Sequence, residues 1–173
     1  MLLAQVYLLN PDIRVELTTS NAEAVRVIAN GRVIWQGFPK KWAPWKLTGG
    51  DIDGNGHPDF AVGIVKQTHL YPHRHKTIFF YEYRRGEIWP KWRGSSLAMP
   101  IEDFAYGISS KGPRLLALQT DLQRRYLLAI WRWHQFGFRL ESRHGSWKHA
   151  KFGKIERQRV EISNEKGSVW VKL

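Results

Sequence analysis

A pattern of short β-type runs that returns after about 50 residues constrains most strongly how this chain can fold. The run Thr77-Ile78-Phe79-Phe80-Tyr81-Glu82-Tyr83, closed by Arg85-Gly86, lays over the run from Leu127 through Ile130-Trp131-Arg132-Trp133-His134. Tyr81 and Tyr83 then fall on Trp131 and Trp133, 50 residues later. A weaker copy runs from Val25 through Asn30-Gly31 to Trp35, and a shortened one joins Arg159-Val160-Glu161-Ile162 to Val169-Trp170-Val171. Runs of β-branched and aromatic residues bounded by Gly, Pro, Asn and Asp read as strands. They fall at 14–17, 25–28, 32–35, 60–65, 77–83, 115–119, 127–133, 138–141, 159–162 and 168–171. Helical periodicity is weak throughout, and Asn-Gly between two such runs is a strong short-range hairpin signal.

A period near 50 with about four strands per unit describes a propeller blade, a sheet that must pack on its neighbours to bury both faces. The expectation is an all-β chain forming a small β-propeller-like domain of about four blades of antiparallel strands. Its repeats lie near 1–40, 41–96, 97–146 and 147–173. An open half-propeller that dimerises is the alternative, as is a sandwich built from the same hairpins. The fourth copy ends after its third strand, so segment 3–8 either completes it or opens the first copy.

The segment Gly50-Asp51-Ile52-Asp53-Gly54-Asn55-Gly56-His57-Pro58-Asp59 carries the most specific chemistry. Oxygen donors at alternate positions, with glycines that let the chain wrap, bring Asp51, Asp53, Asn55, Asp59 and a backbone carbonyl near His57 around one hard cation. An all-oxygen set favours Ca2+ over zinc. An EF-hand would need a bidentate Glu at the twelfth position from Asp51, where Val62 stands in an apolar run instead.

Gly50-Asp51, Asp53-Gly54-Asn55-Gly56, Asp59 and the following Phe60-Ala61-Val62-Gly63-Ile64 resemble the FG-GAP or VCBS type of repeat of integrin-like β-propellers. The resemblance covers about 45–94, and the other copies only by their strand pattern. At the equivalent place the next copy has Ser109-Ser110-Lys111-Gly112-Pro113-Arg114, and the last has Gly153-Lys154-Ile155-Glu156-Arg157-Gln158. One metal site is therefore expected. The resemblance implies a structural calcium in a loop joining the first two strands of a blade. It also implies a role in adhesion, ligand binding or subunit association, with an extracellular or cell-surface setting favoured.

With 27 Lys and Arg against 15 Asp and Glu, the chain carries a formal charge of +12, which suits an anionic partner. The absence of cysteine removes disulfides and thiolate metal sites. No window reaches the roughly 18 apolar residues of a spanning helix, and 1–9 has no basic leader, so neither a transmembrane segment nor an export signal is expected. Trp42, Trp89 and Trp92, near turns and prolines and beside Lys91 and Arg93, are expected to be exposed partner-binding residues able to stack on sugars or bases. His69, His73 and His75 form a second, less specific candidate metal cluster. No nucleophile elbow, phosphate loop, zincin motif or dinucleotide fingerprint is present. The compact acidic pair Glu102-Asp103 points to opposite faces of a strand. The expected function is a non-enzymatic binding or assembly module engaging a protein or anionic polymer. A nucleic-acid-binding protein and a glycan-binding, lectin-like module are the rivals.

Overall fold

A computed structural model describes residues 5–18, 22–67, 72–94 and 97–173. The chain is all-β, with four antiparallel sheets that each run in simple sequence order. The first contains β1 (Gln5–Asn10), β2 (Ile13–Leu17), β3 (Glu23–Ala29) and β4 (Arg32–Pro39). A short 3₁₀ turn, Lys40–Trp42, leads to β5 (Lys46–Gly50), β6 (Asp59–Lys66), β7 (His75–Arg84) and β8 (Glu87–Arg93). The third sheet contains β9 (Ile101–Ser109), β10 (Gly112–Thr120), β11 (Tyr126–His134) and β12 (Gly137–Trp147). The last contains β13 (Ala150–Glu156), β14 (Arg159–Asn164) and β15 (Gly167–Lys172). β1 pairs with β2, which settles the place of the first strand: it opens the first sheet. No helix among the described residues is long and apolar enough to cross a membrane.

The chain divides into two compact units, Met1–Asp51 with Asn55–Ser95 and Ile52–Gly54 with Ser96–Leu173. In the first, β6 reads as a nearly continuous apolar run and is buried on both faces. One face meets Val15, Val25, Val27 and Phe38 of the first sheet. Aromatic rings fill that layer: Phe60 stacks on Tyr81 with centroids 5.5 Å apart, and Trp35 meets both edge-on or tilted at 6.0 and 5.2 Å. At the seam between the sheets Gln5 acts as an extra rung. Its amide nitrogen donates to Trp45 O at 3.2 Å and its oxygen accepts from Leu47 N at 2.8 Å. The Asn30-Gly31 turn has φ of 49° and 76°, the paired left-handed geometry of a tight hairpin whose twist matches its strands.

Glu16 of β2 sits opposite Arg26 of β3, which donates to it at 3.1 Å, while Arg14 donates at 2.8 Å. The hydrogen bond from Arg14 lowers its carboxyl pKa most; burial opposes, and the two guanidinium charges leave it below the ordinary 4.5. A depressed folded pKa gives stability that is present above 4.5 and lost as pH falls through the folded value. Glu16→Gln is therefore expected to cost about 1 kcal/mol at neutral pH, because Arg14 is half exposed and screened, and progressively less in acid. Urea midpoints of the two proteins across that range check this.

In the second unit Leu116, Leu118, Leu128 and Ile130 of the third sheet pack against Ala150, Val160, Ile162 and Val171 of the last. The turn after β13 is tied to β9 by Gln158 N donating to Ile108 O at 2.7 Å.

Candidate metal centre

The loop 51–58 joins β5 to β6, the first two strands of the second sheet. The carboxylates of Asp51, Asp53 and Asp59 each present an oxygen within 4.8 Å of the others, and Asp59 is buried. Among the described residues no other set of three His, Asp or Glu side chains comes this close. The loop is wound by its own side chains. Asp51 accepts from Asn55 N at 3.0 Å and Gly56 N at 2.7 Å, and Asn55 Oδ1 accepts from His57 N at 2.8 Å. Gly54 and Gly56 supply the left-handed φ of 75° and 85° that such winding requires. At Gly49 a β carbon would stand 2.6 Å from the backbone oxygen of Asp59 and collide with the Tyr7 ring, so only glycine lets β5 approach the base of the loop.

Two further residues complete the site. Lys91 Nζ lies 2.9 Å from Asp59 Oδ1, 3.1 Å from Oδ2 and 2.8 Å from Glu82 Oε2, and its side chain is only 9% exposed. Asn55 Nδ2 donates to the same Glu82 oxygen at 2.6 Å. A β-bulge aims the lysine inward: Phe80 pairs with Trp92 and Tyr81 with Pro90, leaving Lys91 as the extra residue. Burial raises the Glu82 carboxyl, but hydrogen bonds from Lys91 and Asn55 and the charges of Lys91 and Arg84 outweigh it, so its pKa is lowered. Tyr7 is raised by burial and then by the charge of Asp59. Repulsion among the loop carboxylates is thus answered in part by an internal ammonium, a partner that sequence spacing did not reveal because it stands 32 residues from Asp59.

Calcium–oxygen bonds of about 2.3–2.6 Å place two ligands of one ion at most about 5 Å apart, and the three aspartates meet that limit. Asp51 uses two acceptor positions on backbone N–H groups, and a carboxylate has about four. Asn55 differs from expectation in its main role: it bridges the loop to Glu82 and His57. His57 is half-buried and joins the winding through its N–H.

The exposed-aromatic expectation is corrected at two residues. Trp92 is 7% exposed and tilts against Phe80 at 6.2 Å, because the bulge turns it to the side opposite Lys91, whose amine is engaged with Asp59 and Glu82. Trp89 is 47% exposed with Arg84 at 5.6 Å over its ring. Trp42 is half-buried beneath Lys66 Nζ at 4.0 Å, and Arg93 is exposed. His75 Nδ1 lies 2.9 Å from the backbone oxygen of His73, and His69 falls outside the described residues. Segment 153–158, expected to be a loop equivalent to the metal loop, is largely β13, its Lys and Glu lying on an exposed strand. No protein-family model matches the chain, and comparison with curated proteins gives no match.

Proposed function

We propose that this chain is a non-catalytic binding or assembly module whose second sheet is pinned by one calcium ion. Asp51, Asp53 and Asp59 would hold it, with Asn55, Glu82 and Lys91 as the shell that orients them. The observation that carries the reading is the convergence of three carboxylates within 4.8 Å in a loop between consecutive strands. Such an ion would supply structural cross-linking of the loop and sheet. The adjacency of β1 to β5 in one unit and of β9 to β13 in the other supports reading the sheets as propeller-like blades that pack by their first strands. The surplus of 27 basic over 15 acidic side chains supports an anionic or protein partner.

The test is thermal unfolding in calcium against chelator. A ligand at about 100 times its Kd adds about 2.7 kcal/mol, which in a chain of this size raises Tm by roughly 5–10 °C. Magnesium at the same concentration should do much less, since it demands a tighter octahedral cage. An unchanged Tm in calcium rejects the reading.

A further inference from the structure

The second and third sheets share the same pairing pattern, and at one position they carry opposite charges. Phe60 pairs with Tyr81 as Leu115 pairs with Trp131, and each of the next two strands has a bulge at the matching place. In the second sheet that place holds Asp59, Glu82 and the bulge residue Lys91. In the third it holds Arg114, Arg132 and Glu141, the residue left over between Leu140, which pairs with Trp131, and Ser142, which pairs with Ile130. The buried acid and its acidic neighbour bridged by a base have become a buried base and its basic neighbour bridged by an acid.

Arg114 is 2% exposed and fully engaged: Nε and Nη2 donate to Glu141 at 2.5 and 3.1 Å, and Nη1 donates to Pro113 O and Gly112 O at 2.7 and 3.2 Å. Its charge therefore cancels that of Glu141. Around this pair opens a cleft of about 630 Å³ whose remaining charged side chains, Lys111, Arg132, Arg139 and Lys172, are all cationic and exposed. Arg132 stands directly across from Arg139 in the β11–β12 register. Like charges in direct cross-strand pairs destabilise a sheet. Glu141 reaches Arg132 at 3.4 Å while Arg114 holds two of its acceptor positions, so a single carboxylate charge is shared between two guanidinium groups. The sheet tolerates this repulsion where a neutral pair would serve folding better.

We infer that this cleft is an anion-binding site for a compact ligand carrying two or more phosphate or sulfate groups, clamped by Arg132 and Arg139 with Lys111 and Lys172 at its rim. Guanidinium forks match such oxyanions in geometry as well as charge. The ligand is compact and not a nucleic-acid strand, because among the described residues no aromatic ring lines the cleft to take a base. The inference deepens the reading of the chain as a binding module by placing its anionic partner. It does not depend on calcium.

The test is calorimetric titration of the full chain with inorganic pyrophosphate at low ionic strength in chelator, so that failure of the calcium reading leaves it intact. One saturable site per chain is expected. Arg139→Ser should weaken it by about tenfold or more, and Arg139→Lys by less, since the charge remains without the fork. Lys151→Glu on exposed β13, which changes net charge more, should leave it nearly unchanged. Circular dichroism melting of each variant separates lost binding from lost fold, and inorganic sulfate in place of pyrophosphate tells whether paired phosphates are required or separate oxyanions suffice. Absence of saturation, equal weakening by Arg139→Ser and Lys151→Glu, or an oligonucleotide that displaces pyrophosphate equally well from wild type and Arg139→Ser would each overturn the proposal.

Discussion

Replacing Lys91 by methionine is expected to cost about 3–5 kcal/mol of stability at neutral pH in metal-free buffer, the usual penalty for removing one partner of a buried charge network. The length of the side chain is kept, so little packing is lost. Asp59 and Glu82, 1% and 5% exposed, are left facing each other without the ammonium that lies 2.9 and 2.8 Å from them. Glu82 now has a depressed pKa, so its contribution is present above the ordinary 4.5 and is lost as pH falls through the folded value. The gap between wild type and Lys91→Met should therefore be widest near neutrality and close in acid. Calcium should narrow it as well, because the ion replaces the missing positive charge, and the variant should bind calcium more tightly than wild type. Urea unfolding at neutral and acid pH, with and without calcium, checks all of these outcomes.

Arg114→Leu is expected to be comparably severe, about 3–5 kcal/mol. The buried guanidinium donates to the carbonyls of Gly112 and Pro113, so its loss weakens the β9–β10 turn, which Ser109 Oγ also holds through Gly112 O, as well as freeing Glu141 from its main partner. Unlike Lys91→Met, this deficit should not respond to calcium, which has no carboxylate cluster to join in the second unit's cleft. Guanidinium chloride would confound the measurement by supplying the missing group, so thermal or urea unfolding is the appropriate assay.

The strand pattern was readable because most strands are rich in β-branched and aromatic residues and their hairpins turn at Asn30-Gly31 and Arg85-Gly86. Four strands escaped for a physical reason. β5 ends in two glycines, β8 contains Pro90, β9 carries Glu102-Asp103, and β13 is half Lys, Glu and Gly. Each takes its extended form from a paired neighbour more than from its own propensity. The aspartates of the loop were legible because their spacing is local. Glu82 and Lys91 were not, since Glu82 meets Asp59 only through the pairing of β6 with β7, and Lys91 joins them through a bulge that no residue type announces. The same 50-residue offset that revealed the repeat does map Lys91 onto Glu141 and Glu82 onto Arg132. The charge inversion was therefore present in the sequence, but it gained meaning only once the bulges fixed which side chains share a site.

Calorimetric titration of calcium into the metal-free chain, beside the Asp51→Asn, Asp53→Asn double variant, tests the central claim most directly. Binding of a single ion per chain, abolished in the double variant while its circular dichroism spectrum is retained, is the predicted result. A folded wild-type protein that takes up no calcium, or a double variant that binds it as well as wild type, would contradict the account.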